Sequence, residues 1–160
     1  VEIRANGKIR TELALNDVVL YKSTHSKLPE FAVSVSGQEV SNIRADGLIF
    51  STPTGSTAYS LSAGGPIIQP EMDCIEFTTL CAHTLFARPM IFSADSALSV
   101  SFLPYENSEV FLSVDGEAGI ELFEGDEVIF KKSKHRLNLV DIDGDSFFSA
   151  VHNKLMKPLK

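Results

Sequence analysis

The sequence predicts a mainly β domain, a layered, sandwich-like arrangement of strands with one short helix after a central Gly/Ser/Thr-rich segment. Three observations predict it. Apolar and polar residues alternate in short runs, the runs return about every ten residues, and Gly- and Asp-rich turns separate them. Almost nowhere do apolar residues recur at helical spacing, which argues against a doubly wound α/β sheet.

The elements follow in order. Val1, Ile3 and Ala5 alternate with polar residues, Asn6-Gly7 follows, and Ile9 and Leu13 continue beyond it, the pattern of a β-hairpin. Phe31, Val33 and Val35 form the next alternation, closed by a Ser36-Gly37 turn. Leu48, Ile49 and Phe50 read as a fully buried strand, after which Pro53 and Gly55 punctuate the chain. Ser56 or Thr57 can then cap a helix over Thr57 to Ala63. Alternation returns at Leu98, Val100 and Phe102, and at Phe111 to Val114 before Asp115-Gly116. Glu124-Gly125-Asp126 divides Ile120 and Leu122 from Val128 to Phe130. A last strand is expected from Leu137 to Ile142, ending at Asp143-Gly144, with a helical turn or two near His152 to Met156.

A chain of 160 residues, 44% of them apolar, can bury one substantial core, so residues 1–160 are read as a single domain. The net charge of −7, with 14 basic residues against 21 acidic ones, argues against a nucleic-acid backbone as partner. Cys74 and Cys81 match no zinc spacing and no disulfide framework, so reduced thiols and a cytoplasmic location are expected. No signal-peptide pattern opens the chain and no apolar run is long enough to span a bilayer, so a soluble protein without a membrane partner is expected. The chain begins at Val1 on a strand pattern, as expected of part of a longer polypeptide.

Chemistry concentrates in residues 45–65, ADGLIFSTPTGSTAYSLSAGG. A buried strand that breaks into small hydroxyl-bearing residues and a helical turn presents backbone amides to whatever lies in front of them. The catalytic templates fail: Gly55-Ser56-Thr57 lacks the lysine of a P-loop, the three-glycine dinucleotide fingerprint is missing, and Ser56 is not in a nucleophile elbow. His25, His83, His135 and His152 have no identifiable partner acid in the local sequence. Binding chemistry remains. Asp46 can accept hydrogen bonds from ribose hydroxyls or stand as a solvated turn residue. Tyr59, with Thr57, Ala58 and Ser62 nearby, can stack on a base or pack on a sheet. Asn16-Asp17 interrupts an apolar run, where the amide can read a purine edge or close a tight turn. Arg44 can meet a phosphate or pair with a surface acid.

Four segments together resemble a known family. LNDVVL at 15–20, RADGLIFSTPTGSTAYSLSAGGPI at 44–67, HTLFARP at 83–89 and VDGE at 114–117 are similar, in order and spacing, to the carboxyl-terminal domain of bacterial NAD kinase. The resemblance covers nearly the whole chain. It implies an enzyme that transfers the γ-phosphoryl group of ATP, or a phosphoryl group of polyphosphate, to the 2′-hydroxyl of the adenosine ribose of NAD, giving NADP, with a divalent metal such as magnesium accompanying the donor. It also implies a homodimer or homotetramer whose NAD site takes side chains from a neighbouring subunit, and a β-rich domain carrying much of that site.

Position by position, the resemblance places Asn16 on the adenine and Asp17 where the family has glutamate, an acid one methylene longer. Arg44 and Asp46 line the site, Asp46 touching ribose across a subunit boundary. Thr57, Ala58, Tyr59, Ser60, Leu61 and Ser62 match the segment that wraps the dinucleotide, Tyr59 stacking and Ser62 hydrogen bonding. Glu117 replaces a family glutamine, an exchange unfavourable beside a pyrophosphate and tolerable beside a ribose. Cys81 stands at a subunit contact and Lys27 at a polar site position. The family's catalytic aspartate lies in a Gly-Gly-Asp-Gly motif that these 160 residues do not contain, so no catalytic residue is assigned and this chain alone is expected to be inactive. The alternative is a catalytically silent module that senses NAD or NADP or drives oligomerisation; a lipid kinase relative fits the central motif less well.

Overall fold

The computed structural model describes residues 1–5, 8–84, 87–103, 108–138, 140, 144 and 146–156. Twelve strands form among them: β1 (Glu2–Ala5), β2 (Lys8–Thr11), β3 (Asp17–Lys22), β4 (Glu30–Val35), β5 (Gln38–Arg44), β6 (Gly47–Ser51), β7 (Cys74–Leu80), β8 (Met90–Ser93), β9 (Leu98–Leu103), β10 (Val110–Val114), β11 (Ile120–Leu122) and β12 (Glu127–Phe130). They make two six-stranded sheets, ordered β2-β1-β12-β9-β4-β5 and β11-β10-β3-β6-β7-β8, with antiparallel pairing throughout. The predicted layered β fold is therefore observed.

The alternation read in the sequence sets the core. Ile3, Phe31, Val33, Leu98, Val100, Phe102, Val128 and Phe130 face inward from the first sheet, and Val18, Leu20, Leu48, Phe50, Phe77, Val110, Leu112 and Val114 from the second. Phe50 and Phe130 stack across the sandwich with ring centroids 3.8 Å apart and planes within 16°. The outward side of the second sheet is also covered, since Val19 and Ile49 point away from the core yet are buried. A strand buried on both faces loses its period-two signature. That is why β7, with sequence CIEFTTL, cannot be read from alternation, whereas edge strand β5 hides because its side chains are mostly polar and exposed.

Three expectations need correction. The predicted helix over Thr57 to Ala63 is instead a 3-10 turn at Thr54–Thr57 followed by a single α-helical turn, α1 (Tyr59–Ser62), broken at Ala58. Neither Ser56 nor Thr57 caps α1; Ala58 occupies the cap position, and the buried Ser56 hydroxyl donates to Pro53 O at 2.7 Å and accepts from Ile68 N–H at 3.0 Å. Ser56 thus closes the loop internally. The expected strand at 137–142 is absent from its described residues 137, 138 and 140, where Leu137 and Val140 are exposed. Near the carboxyl end, α2 (Phe147–Val151) is capped by Ser146 and runs into a π-helical turn, His152–Met156. The Asn6-Gly7 turn and Asp143 lie outside the described residues, although the hairpin itself forms, with Glu2 opposite Thr11.

Candidate functional site

Strand β3 begins at one end of the second sheet and finishes at the other, and the predicted site residues fall into two groups along it. At the first end, Asp17 pairs in register with Ser51, and Ser51 with Glu76, all three side chains on the outward face. Segment 52–68 folds over that face. Gly55 lies so close to the chain at Asn16 that a Cβ built on it would sit 2.0 Å from the Asn16 carbonyl oxygen. Thr52 N–H donates to that carbonyl at 2.9 Å, and the Thr52 hydroxyl to Leu15 O at 2.6 Å. The loop and the Asn16-Asp17 dipeptide are therefore one unit.

The Asp115-Gly116 turn after β10 secures the same unit. Asp115, at φ 48°, aims its carboxylate at three successive amides, Leu15 N at 2.7 Å, Asn16 N at 2.8 Å and Asp17 N at 3.0 Å. Charge-assisted bonds to consecutive amides fix a backbone with little freedom left. Glu117 follows in the same turn, exposed, its N–H bonded to Val114 O and its carbonyl accepting from Ser113 Oγ at 2.7 Å. Asp17 itself is buried and receives the Tyr59 N–H; burial first, then the Asp115 charge, raise its pKa.

α1 presents its residues on opposite sides. Tyr59 is 48% exposed and Ser62 and Thr57 are exposed, while Ala58 and Leu61 are partly covered and Ser60 is fully buried. Thus Asn16, Asp17, Thr57, Ala58, Tyr59, Leu61, Ser62 and Glu117 meet at one end of the sheet, and the Ser60 hydroxyl turns inward. The acids here are Asp17, Asp115 and Glu117, and segments 15–17, 52–68 and 113–117 contain no Lys or Arg. Carboxylates accept from hydroxyls and amino groups and repel phosphates, so this arrangement suits a neutral, hydroxyl- or amino-bearing part of a ligand.

The other predicted residues gather at the far end. Asp46 N–H donates to Leu80 O and its carbonyl accepts from Lys22 N–H, while its carboxylate lies 3.8 Å from Lys22 Nζ. His83 N–H donates to Arg44 O at 2.7 Å, Cys81 is exposed at φ 47°, and Lys27 is exposed on the loop after β3. Five strand steps at about 3.4 Å separate Asp17 from Lys22, so the two groups stand about 17 Å apart along β3. Two residues of the HTLFARP segment, 85 and 86, lie outside the described residues.

Sequence reasoning missed three contributors: Gly55 as a contact point, Asp115 as the anchor of the Asn16 backbone, and Glu76. The Asp-Gly pair was a visible signal for the second. Nothing in CIEFTTL marks Glu76 as special except a lone acid among apolar neighbours. No group of three or more His, Cys, Asp or Glu able to hold a metal occurs among the described residues. No helix among them is long and apolar enough to cross a membrane. Both cysteines are free, Cys74 buried and Cys81 exposed.

Glu76 and Asp17 both bind a proton more tightly folded than unfolded, so the stability these two carboxyls contribute is fully present below about 4, the unfolded carboxylate value, and is lost as pH rises through their elevated folded values. Thermal unfolding followed by circular dichroism across pH 4 to 8 is expected to show this downward slope, and Glu76→Gln to reduce it.

Comparison with known proteins agrees with this geometry. The family model described as ATP-NAD kinase C-terminal domain matches residues 15–142. A relative named NAD kinase from Geotalea daltonii is 40% identical over 152 residues, covering 95% of this chain and 53% of its own length. The chain thus spans about half the length of the curated relatives it matches. Among solved structures, yeast NADH kinase complexed with NADH superposes with a TM-score of 0.74 at 33% identity, over 80% of this chain and 37% of that one. An NAD kinase from Archaeoglobus fulgidus in complex with ATP gives 0.69 at 28% identity, over 83% and 50%.

Proposed function

Because the chain belongs to the ATP-NAD kinase family through its carboxyl-terminal domain, we propose that it is the NAD-binding part of an enzyme that phosphorylates the 2′-hydroxyl of the adenosine ribose of NAD, giving NADP from ATP or polyphosphate. The observation that carries this reading is the assembly of Asn16, Asp17, Tyr59 and Ser62 at one sheet end, on a backbone fixed by Asp115 and by the Gly55 contact. Asn16 reads the adenine edge, the Tyr59 ring stacks on the base, and Ser62 and the carboxylates receive the ribose hydroxyls. Complexes with NADH and with ATP among the structural neighbours support both substrate classes.

The far group fits a site shared between copies. Adenine and its ribose are joined by a single bond, so residues about 17 Å apart along one strand cannot both hold one adenosine. Asp46, with Arg44, Lys27 and Cys81 around it, instead completes the site of a neighbouring copy in a homodimer or homotetramer. Magnesium in this reading accompanies the phosphate donor. The base that takes the proton of the attacking hydroxyl comes from outside these residues, and this chain's own contribution is binding and orientation. A cytoplasmic location, where NAD and ATP are available, completes the proposal.

The test supplies the full-length gene product with NAD, ATP and magnesium and separates the nucleotides by chromatography. NADP accumulating with time supports the assignment; NAD and ATP left unchanged under conditions where a related NAD kinase turns over would refute it.

A further inference from the structure

We propose that Glu76 is a positioning residue for the dinucleotide site, its buried carboxyl holding Ser60 and, through it, the α1 turn that presents Tyr59 and Ser62. This rests on the function proposed above. Glu76 is fully buried on the outward face of the second sheet, a costly place for an acid unless its groups are used. Its Oε1 accepts from the Ser60 hydroxyl at 2.7 Å and from Thr78 Oγ1 at 3.2 Å, and the two hydroxyls lie 3.1 Å apart. Ser60 is also fully buried, and its carbonyl accepts from Gly65 N–H at 2.9 Å. A Cβ on Gly65 would sit 2.0 Å from Glu76 Oε1 and 2.3 Å from Ser60 Oγ, so the chain returning from α1 closes directly over the carboxyl.

α1 needs such an anchor. Four residues are too few for a self-supporting helix, and its cap position, Ala58, offers no side-chain hydrogen bond. Two sheet carboxyls hold it instead, Asp17 at the Tyr59 N–H and Glu76 at the Ser60 hydroxyl. Burial, the largest influence, raises the Glu76 pKa against the two hydroxyl bonds that lower it, and its second oxygen is buried with no hydrogen-bond partner among the described residues. Fixing Ser60 inward directs its neighbours Tyr59 and Ser62 outward, because successive residues of a helical turn point in different directions. Ser60 therefore serves the ligand from behind.

The experiment compares Glu76→Ala, Glu76→Gln and Tyr59→Ala in the full-length gene product, using NAD titration calorimetry and amide hydrogen exchange over residues 59–65. Glu76→Ala is expected to weaken NAD binding about ten-fold and to accelerate exchange at α1. ATP affinity should stay within two-fold of the wild-type value. Glu76→Gln, which keeps an acceptor for Ser60, should restore most of both losses. Unchanged exchange and NAD affinity in Glu76→Ala, beside a clear loss in Tyr59→Ala, would overturn the role of Glu76 while leaving the function intact. Equal loss in Glu76→Gln and Glu76→Ala would overturn it as well. A wild-type protein that does not bind NAD would instead refute the proposed function, with the exchange measurement still deciding whether Glu76 holds the turn.

Discussion

Gly55→Ala is expected to destabilise the fold by about 3 kcal/mol and to abolish NAD binding. The added Cβ would stand 2.0 Å from the Asn16 carbonyl oxygen, 2.4 Å from its carbon and 2.6 Å from the Asn16 Cα, all backbone atoms that cannot rotate away. That segment is held on its other side by Asp115, so relief has to come from the loop, which would lift Thr52 from Asn16 and Leu15. The same displacement would carry α1 away from Asp17. Urea unfolding read by circular dichroism measures the first effect, and NAD titration the second. A variant with wild-type midpoint and affinity would mean that the loop does not rest on Asn16.

Asp115→Ala comes next in expected size. It removes one carboxylate that accepts from three consecutive amides, each such bond to a charged acceptor being worth about 1.5–3 kcal/mol when protected. Here the site is open and water can replace the acceptor, so the net loss expected is about 2 kcal/mol in all, not three full bonds. The larger consequence is on binding. With the backbone of Leu15 to Asp17 released, Asn16 and Asp17 lose their fixed orientation, and NAD affinity should fall at least about ten-fold. Asp115→Asn, which keeps one carbonyl oxygen, should fall between the two. It should also lower the Asp17 pKa, because the Asp115 charge is the second cause of its elevation, and carboxyl carbon shifts in a pH titration would report that directly.

Sequence patterns exposed the sandwich wherever a strand has one wet face. Phe31, Val33 and Val35 in β4, and Leu98, Val100 and Phe102 in β9, alternate because their neighbours lie on the outer surface of the first sheet. They failed at β7, where Glu76 and Thr78 are buried under the very loop they support, and at β5, whose edge position leaves it polar. The central motif is legible as a binding segment, but its local sequence predicts one continuous helix. Ala58 interrupts it because Gly55 and Ser56 are tied to Asn16 and Ile68, while Tyr59 and Ser60 are tied to Asp17 and Glu76. Those ties are long-range pairings that local propensity does not contain. The resemblance puts Arg44 and Asp46 in the same site as Tyr59, with Asp46 reaching it across a subunit boundary, and the strand register sets Asp46 at the opposite end of β3 from Asp17.

The location of bound dinucleotide tests the central claim most directly. A crystal structure of the full-length gene product with NAD should show the adenine against the Tyr59 ring and the Asn16 amide, its ribose beside Asp17 and Ser62, and Asp46 of a second copy reaching the same sugar. Dinucleotide seated elsewhere, with Asn16 and Tyr59 free of contact, would contradict it.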